Sequence, residues 1–213
     1  MLHIFDWFFQ QYENTPTYLI VLEIIGTIFG LLSVLFSKRD NILVFPTGII
    51  STSIFVYILL VYSLLGDMLI NAYYFIMSIV GWYVWTRKVD GDKFIPITKL
   101  STRKEYIKCA IIFISTLVFV CLIYFYFEKW NSWTAYVDTL TTGIFFVGMW
   151  LMAKKKIENW IFWIIGDIIS VPLYLVKGLV FSSFQYLIFT VIAIYGYRAW
   201  RKYHNKPKSS LLN

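Results

Sequence analysis

The chain has 213 residues, of which 59% are hydrophobic, 21% aromatic and 15% charged. A soluble domain of this size would be roughly a quarter charged, so the composition excludes one and describes an integral membrane protein. The formal net charge of +7 would ordinarily raise nucleic acid as a partner. Basic residues are needed on one face of a bilayer to set orientation, and that need accounts for the excess.

Met1 to Thr17 holds Asp6 and Glu13 and no Lys or Arg, too polar for the apolar core of a cleavable signal. With the aromatics of HIFDWFFQQY it reads as an interfacial lead-in over residues 1–17, outside the cytoplasm. Seven apolar segments follow, at about 18–36, 42–63, 67–86, 106–127, 134–152, 159–178 and 180–200. Each approaches the ~20 residues needed to cross the hydrocarbon core. Placing the loop with Lys38 and Arg39 inside puts 17 of the 19 basic residues inside and leaves Lys129 and Lys177 toward the outside. Seven spans, N-terminus out and C-terminus in, is the reading that keeps this alternation.

In the first span, Gly26 and Gly30 have the G-x-x-x-G spacing of close helix packing, which is also compatible with a homo-oligomer. Pro46 and Pro172 are expected inside the second and sixth spans, where each frees a carbonyl one turn earlier. The polar stretch 87–105, with Gly91 and Pro96, is a cytoplasmic linker too short to be a domain, and 201–213 is a cytoplasmic tail. Cys109 and Cys121 share one apolar span, and the two histidines, His3 and His204, lie near the termini. Neither pair suggests a disulfide, a metal site or a catalytic centre. A nucleotide-cradling G-x-x-x-x-G-K-[ST] loop is absent from the sequence, so no cofactor and no ATP-driven step are expected.

The chain also resembles itself. NILVFPTGII (41–50) aligns with NWIFWIIGDI (159–168) at an offset of 118, and residues 71–88 align with 186–203 at 115, matching Gly81 to Gly196 and Trp85 to Trp200. Three spans (18–86), one linker span (106–127) and three more (134–200) form a 3+1+3 plan. An odd linker helix leaves the two triplets parallel, related by an axis along the membrane normal. Such a plan favours a transporter, with its site near mid-bilayer where the repeats meet.

The sixth span is the unusual one. Trp160, Trp163, Asp167, Ser170, Tyr174 and Lys177 follow one another at spacings of 3, 4, 3, 4 and 3, a stripe about 100° wide on a helix. A charge in a span costs at least ~2.5 kcal/mol on insertion scales, so Asp167 should face an interior or a wet cavity. The bland alternative is a hydrogen-bonded seam between helices; two tryptophans beside a carboxylate suit a ligand wall better. The third span offers Asn71, Tyr74, Ser78, Trp82 and Trp85, and the seventh offers Gln185 and Phe189. Amides such as Asn71 and Gln185 can read hydroxyls and carboxamides. Glu23 and Asp138 lie toward the outer ends of their spans, where hydration suffices.

The run N-W-x-x-W with D-x-x-S-x-P-L-Y-x-x-K-G (Asn159 to Gly178) resembles the PnuC-type vitamin transporters. So do N-x-x-x-x-P-x-G-I-I (Asn41 to Ile50) and Y-Y-F-x-x-S-I-x-G-W-x-x-W (Tyr73 to Trp85). The resemblance implies an all-α, SWEET-like bacterial inner-membrane protein of 3+1+3 spans. It implies uptake of nicotinamide riboside by facilitated diffusion, with a cytoplasmic kinase trapping the ligand, or uptake of thiamine or riboflavin instead. It implies a site in which Trp160 and Trp163 border the ring while Asn71, Tyr74, Asp167, Tyr174 and Gln185 lie near polar groups. A membrane sensor or scaffold is the reading from a different class; the short, featureless soluble segments speak against it.

Overall fold

In hydrocarbon every backbone N–H and C=O must be satisfied within the protein, and an isolated apolar run does this as a helix. The computed structural model describes residues 15–62, 65–90, 93–128, 130, 132–176 and 180–205. Most of the expected lead-in, the last eight residues of the tail, Lys129 and Lys177 lie outside that set. Seven helices run through it: α1 Thr17–Lys38, α2 Val44–Val61, α3 Leu65–Thr86, α4 Arg103–Tyr126, α5 Thr134–Ala153, α6 Asn159–Val176 and α7 Val180–His204. Between α3 and α4 lies a small antiparallel ribbon, β1 Lys88–Asp90 with β2 Lys93–Phe94. Among the described residues six helices, α1 to α6, are long and apolar enough to cross a membrane; α7 has 25 residues.

Two local expectations shift. α2 begins at Val44, so Pro46 stands in its first turn, where a missing N–H has no intrahelical partner to lose. Pro172 alone of the two lies inside its helix. α4 starts three residues early because Thr102 and Glu105 form a capping box, each satisfying the other's backbone N–H.

Packing makes α5 the central helix, with 72% of its most apolar stretch buried against 11% for α1. α5 packs on α3, α4 and α6, and α1 packs on α2 and α7. Gly26 and Gly30 both face α2, where a Cβ would come within 3.1 Å of Ile54 and 3.0 Å of the Ser51 hydroxyl. Their spacing thus serves packing inside the chain. The Tyr73 hydroxyl donates to the Phe146 carbonyl at 3.1 Å, and the two rings stack at 3.7 Å, locking α3 to α5.

Contacts recur at a constant separation of 115 residues. Trp85 Nε1 donates to the Met152 carbonyl (3.3 Å), and Trp200 Nε1 donates to the Ser37 carbonyl (2.9 Å). Phe45 meets Trp85 edge-on at 4.9 Å and 89°, as Trp160 meets Trp200 at 5.6 Å and 88°. Gly81 gives room to the Phe45 ring and Gly196 to the Trp160 ring. The left-handed residues Asp40 and Lys155, with φ of 53° and 52°, end α1 and α5 in the same way. The separation holds over α2 and α6 too, so the 118-residue match of Asn41 to Asn159 does not follow the contacts.

Phe45, Trp85, Trp160 and Trp200 form one buried cluster, closed on its far side by Ile97 of the linker. The linker is therefore more than a tether. Thr98 N–H donates to the Lys155 carbonyl, Ile157 N–H donates to the Thr98 carbonyl, and Glu158 accepts from Leu100 N–H at 3.0 Å. Lys155 sits 4.2 Å above the Trp85 ring and 2.8 Å from Asp40. Burial holds the Asp40 carboxyl above its ordinary range, with Lys155 opposing the shift only in part. Desolvation thus outweighs the attraction at Asp40, yet breaking the pair strands a buried ammonium. Asp40→Ala is expected to cost about 3 kcal/mol, and Asp40→Asn combined with Lys155→Met should recover most of that. Thermal melts in detergent of the native protein, Asp40→Asn, Lys155→Met and the double variant close the cycle; additive losses would show that the pair is not coupled.

Candidate ligand-binding cavity

Above the aromatic cluster the helices part around a cavity of about 250 Å³. That is just below the ~300–1,000 Å³ of pockets that bury drug-sized ligands. α1, α2, α3, α5, α6 and α7 all contribute to its lining.

α6 brings Trp160, Trp163 and Asp167 to the wall, as their 3.6-residue periodicity requires. Trp160 forms the floor, 2% exposed, with its indole N–H unpaired. Trp163 stands 5.4 Å from Phe145 at 29°, and Phe145 lies 6.0 Å from Tyr186 at 10°. Tyr74 approaches Trp163 at 6.4 Å, and Phe189 meets Tyr186 edge-on. These rings form one contiguous aromatic group in the cavity lining. Asp167, in the middle of its 18-residue helix, is 2% exposed and lines the same cavity. Among the described residues no cation and no hydrogen-bond donor meets its carboxylate. A buried carboxyl group facing an aromatic cavity is an arrangement chemically suited to a cation.

Of the residues expected from the sequence, Asn71, Tyr74, Trp160, Trp163, Asp167 and Gln185 line the cavity together, with Ser78 and Phe189. Tyr174 does not reach the lining and instead packs behind Tyr186 at 4.9 Å. Ser170 is buried away from it, its hydroxyl unpartnered. Trp82 is 42% exposed and faces outward, while Trp85 lies below the floor. Lys177 falls outside the described residues. Glu23 and Asp138 are half-buried and do not line the cavity.

Two sets of lining residues carry no signal in the sequence. α5 contributes Phe145, Met149 and Met152, from a helix buried on nearly all sides that shows no polar face to flag it. α1 and α2 contribute Thr27, Ser33, Ser37, Ser51 and Thr52, which read in sequence as ordinary small packing residues.

The fold and the cavity define a multi-pass helical membrane protein with an internal cavity lined by six of its seven helices. The family model described as nicotinamide mononucleotide transporter matches residues 20–202, and the chain belongs to that family. The chain is 25% identical over 204 residues to the nicotinamide riboside transporter PnuC of Escherichia coli K12, covering 84% of each protein. To the riboflavin/roseoflavin transporter RibM of Streptomyces davaonensis it is 25% identical over 185 residues, covering 84% of this chain and 83% of RibM. Its fold is similar to the crystal structure of the vitamin B3 transporter PnuC, with a TM-score of 0.64 at 20% identity over 89% of this chain and 83% of that one.

Proposed function

We propose that this protein carries nicotinamide riboside, a cationic pyridine nucleoside, across the bacterial inner membrane by facilitated diffusion. The observation that carries the reading is Asp167, a buried carboxylate without a counter-ion among the described residues, beside Trp160, Trp163, Phe145 and Tyr186. The ligand is a fixed cation on a flat ring bearing a carboxamide and a ribose. Cation–π attraction worth ~2 kcal/mol or more when dry suits the ring, and Asp167 suits its charge. Asn71, Tyr74 and Gln185 are placed to meet polar groups, with Tyr174 supporting the wall from behind Tyr186. A phosphate would face the carboxylate, so the nucleoside is taken and the nucleotide is not. A cytoplasmic kinase then traps the product as its phosphate.

In this reading the architecture is two parallel three-helix repeats joined by α4, related by an axis along the membrane normal as in SWEET carriers, with the N-terminus outside. The contacts that recur 115 residues apart support it. So does the pairing of α1 with α7 and of α5 with α3, each the image of the other. Thiamine, also a flat cation, and riboflavin, named for RibM, are the competing ligands of the same chamber.

Uptake of nicotinamide riboside, thiamine and riboflavin into proteoliposomes tests the assignment directly. Nicotinamide riboside is expected to equilibrate fastest. With no kinase inside, it should stop at the outside concentration under an imposed proton or sodium gradient. Accumulation above that level would overturn the passive mechanism; selective uptake of another vitamin would overturn the substrate.

A further inference from the structure

The two halves of the chamber are chemically opposite. At Gly48 of α2, the position of a Cβ would lie 3.1 Å from the Ser33 hydroxyl of α1 and 3.2 Å from the Ser78 hydroxyl of α3. Thr52, one turn on, closes the group. The counterparts 115 residues later, Gly148, Trp163 and Ala193, put an indole where the first half has an open backbone, and no hydroxyl on either side. Residues 33, 48, 52 and 78 all line the cavity, as do 163, 167 and 193. One half is a tryptophan shelf; the other is a small polar recess.

The protons in that recess are already committed. Ser33 donates to the Val44 carbonyl (2.7 Å), Ser78 to the Tyr74 carbonyl (2.8 Å) and Thr52 to the Gly48 carbonyl (2.7 Å). A hydroxyl whose hydrogen is held by a backbone carbonyl keeps its lone pairs and becomes an acceptor. Two of these acceptors, Ser33 and Ser78, converge at Gly48, and Thr52 lines the cavity one turn away. Such a recess attracts groups that bring their own O–H or N–H, and offers little to groups that only accept.

We infer that the Gly48 recess, with Ser33, Thr52 and Ser78 as acceptors, is the subsite for the hydroxylated arm of the ligand, while its ring lies against Trp163. The inference rests on the proposed function for the existence of a ring-and-sugar ligand, and adds which wall reads which part. It makes Ser33 and Ser78 specificity residues for the sugar.

The test compares ligands with and without the arm: nicotinamide riboside against 1-methylnicotinamide, and riboflavin against lumiflavin, by calorimetry on the purified full chain. Ser33→Ala and Ser78→Ala should each weaken the hydroxylated ligand by roughly 3- to 10-fold, the range of one neutral hydrogen bond. The arm-less partner should keep its affinity. Because the Ser33 bond also joins α1 to α2, Gly48→Ala serves as the second variant. It retains every hydroxyl but fills the recess, and should again hurt only the hydroxylated ligand. Equal losses for both members of a pair, or no loss in any variant, would overturn the subsite while leaving transport intact. If the native protein binds neither hydroxylated ligand, the proposed function falls and the subsite falls with it.

Discussion

Asp167→Asn is expected to weaken nicotinamide riboside by about 10- to 150-fold, the 1.5–3 kcal/mol of an interaction with a charged group. The substitution keeps the shape of the side chain and removes its charge. The reduced, uncharged dihydronicotinamide riboside has nearly the same outline and should lose little. Stability should move the other way. A carboxyl group that is 2% exposed and has no partner among the described residues is costly to bury, and an amide of the same shape costs no more. The variant should therefore melt no lower than the native protein while binding the cation less well. Reduced stability with unchanged affinity for both ligands would mean that Asp167 holds helices together and does not meet the ligand.

Trp163→Leu separates stacking from charge. Trp163 faces Phe145 at 5.4 Å and Tyr74 at 6.4 Å, and lines the cavity. Leucine preserves an apolar wall and removes the π face. Flat ligands should lose on the order of 1–3 kcal/mol whether charged or neutral, the cation more, since it forfeits cation–π attraction as well as contact. Calorimetry with the oxidised and reduced ribosides on the folded fraction measures both losses. Affinities equal to those of the native protein would remove Trp163 from the site.

These two residues are legible in the sequence because a membrane span advertises its exceptions. In an apolar helix every charge or amide is costly, so Asp167, Asn71 and Gln185 stand out, and helical periodicity then groups Trp160 and Trp163 with Asp167. The same periodicity overreaches at the ends of its stripes. Ser170 and Tyr174 share the helix face of Asp167 but do not line the cavity, Tyr174 packing against Tyr186 instead. Trp82 shares a stripe with Ser78, yet turns out of the bundle. A helix face has a fixed angular width, whereas a cavity has a limited height.

Composition alone is enough for the class, because hydrocarbon admits few structures, and each of the seven apolar segments overlaps a helix, six of them long and apolar enough to cross a membrane among the described residues. The motifs also carry a family resemblance that the family match bears out. Packing supplies what a linear pattern cannot hold. It draws the wall of Phe145, Met149 and Met152 from α5, a helix buried so completely that it has no contrasting face. It turns the small residues of α1, α2 and α3 into a polar recess, because Gly48 leaves a gap onto which hydroxyls from two other helices converge. And it fixes one separation of 115 residues for the paired contacts, where identity of an asparagine and a glycine points to 118. Positions correspond when they bury the same neighbours, and only packing in three dimensions says which those are.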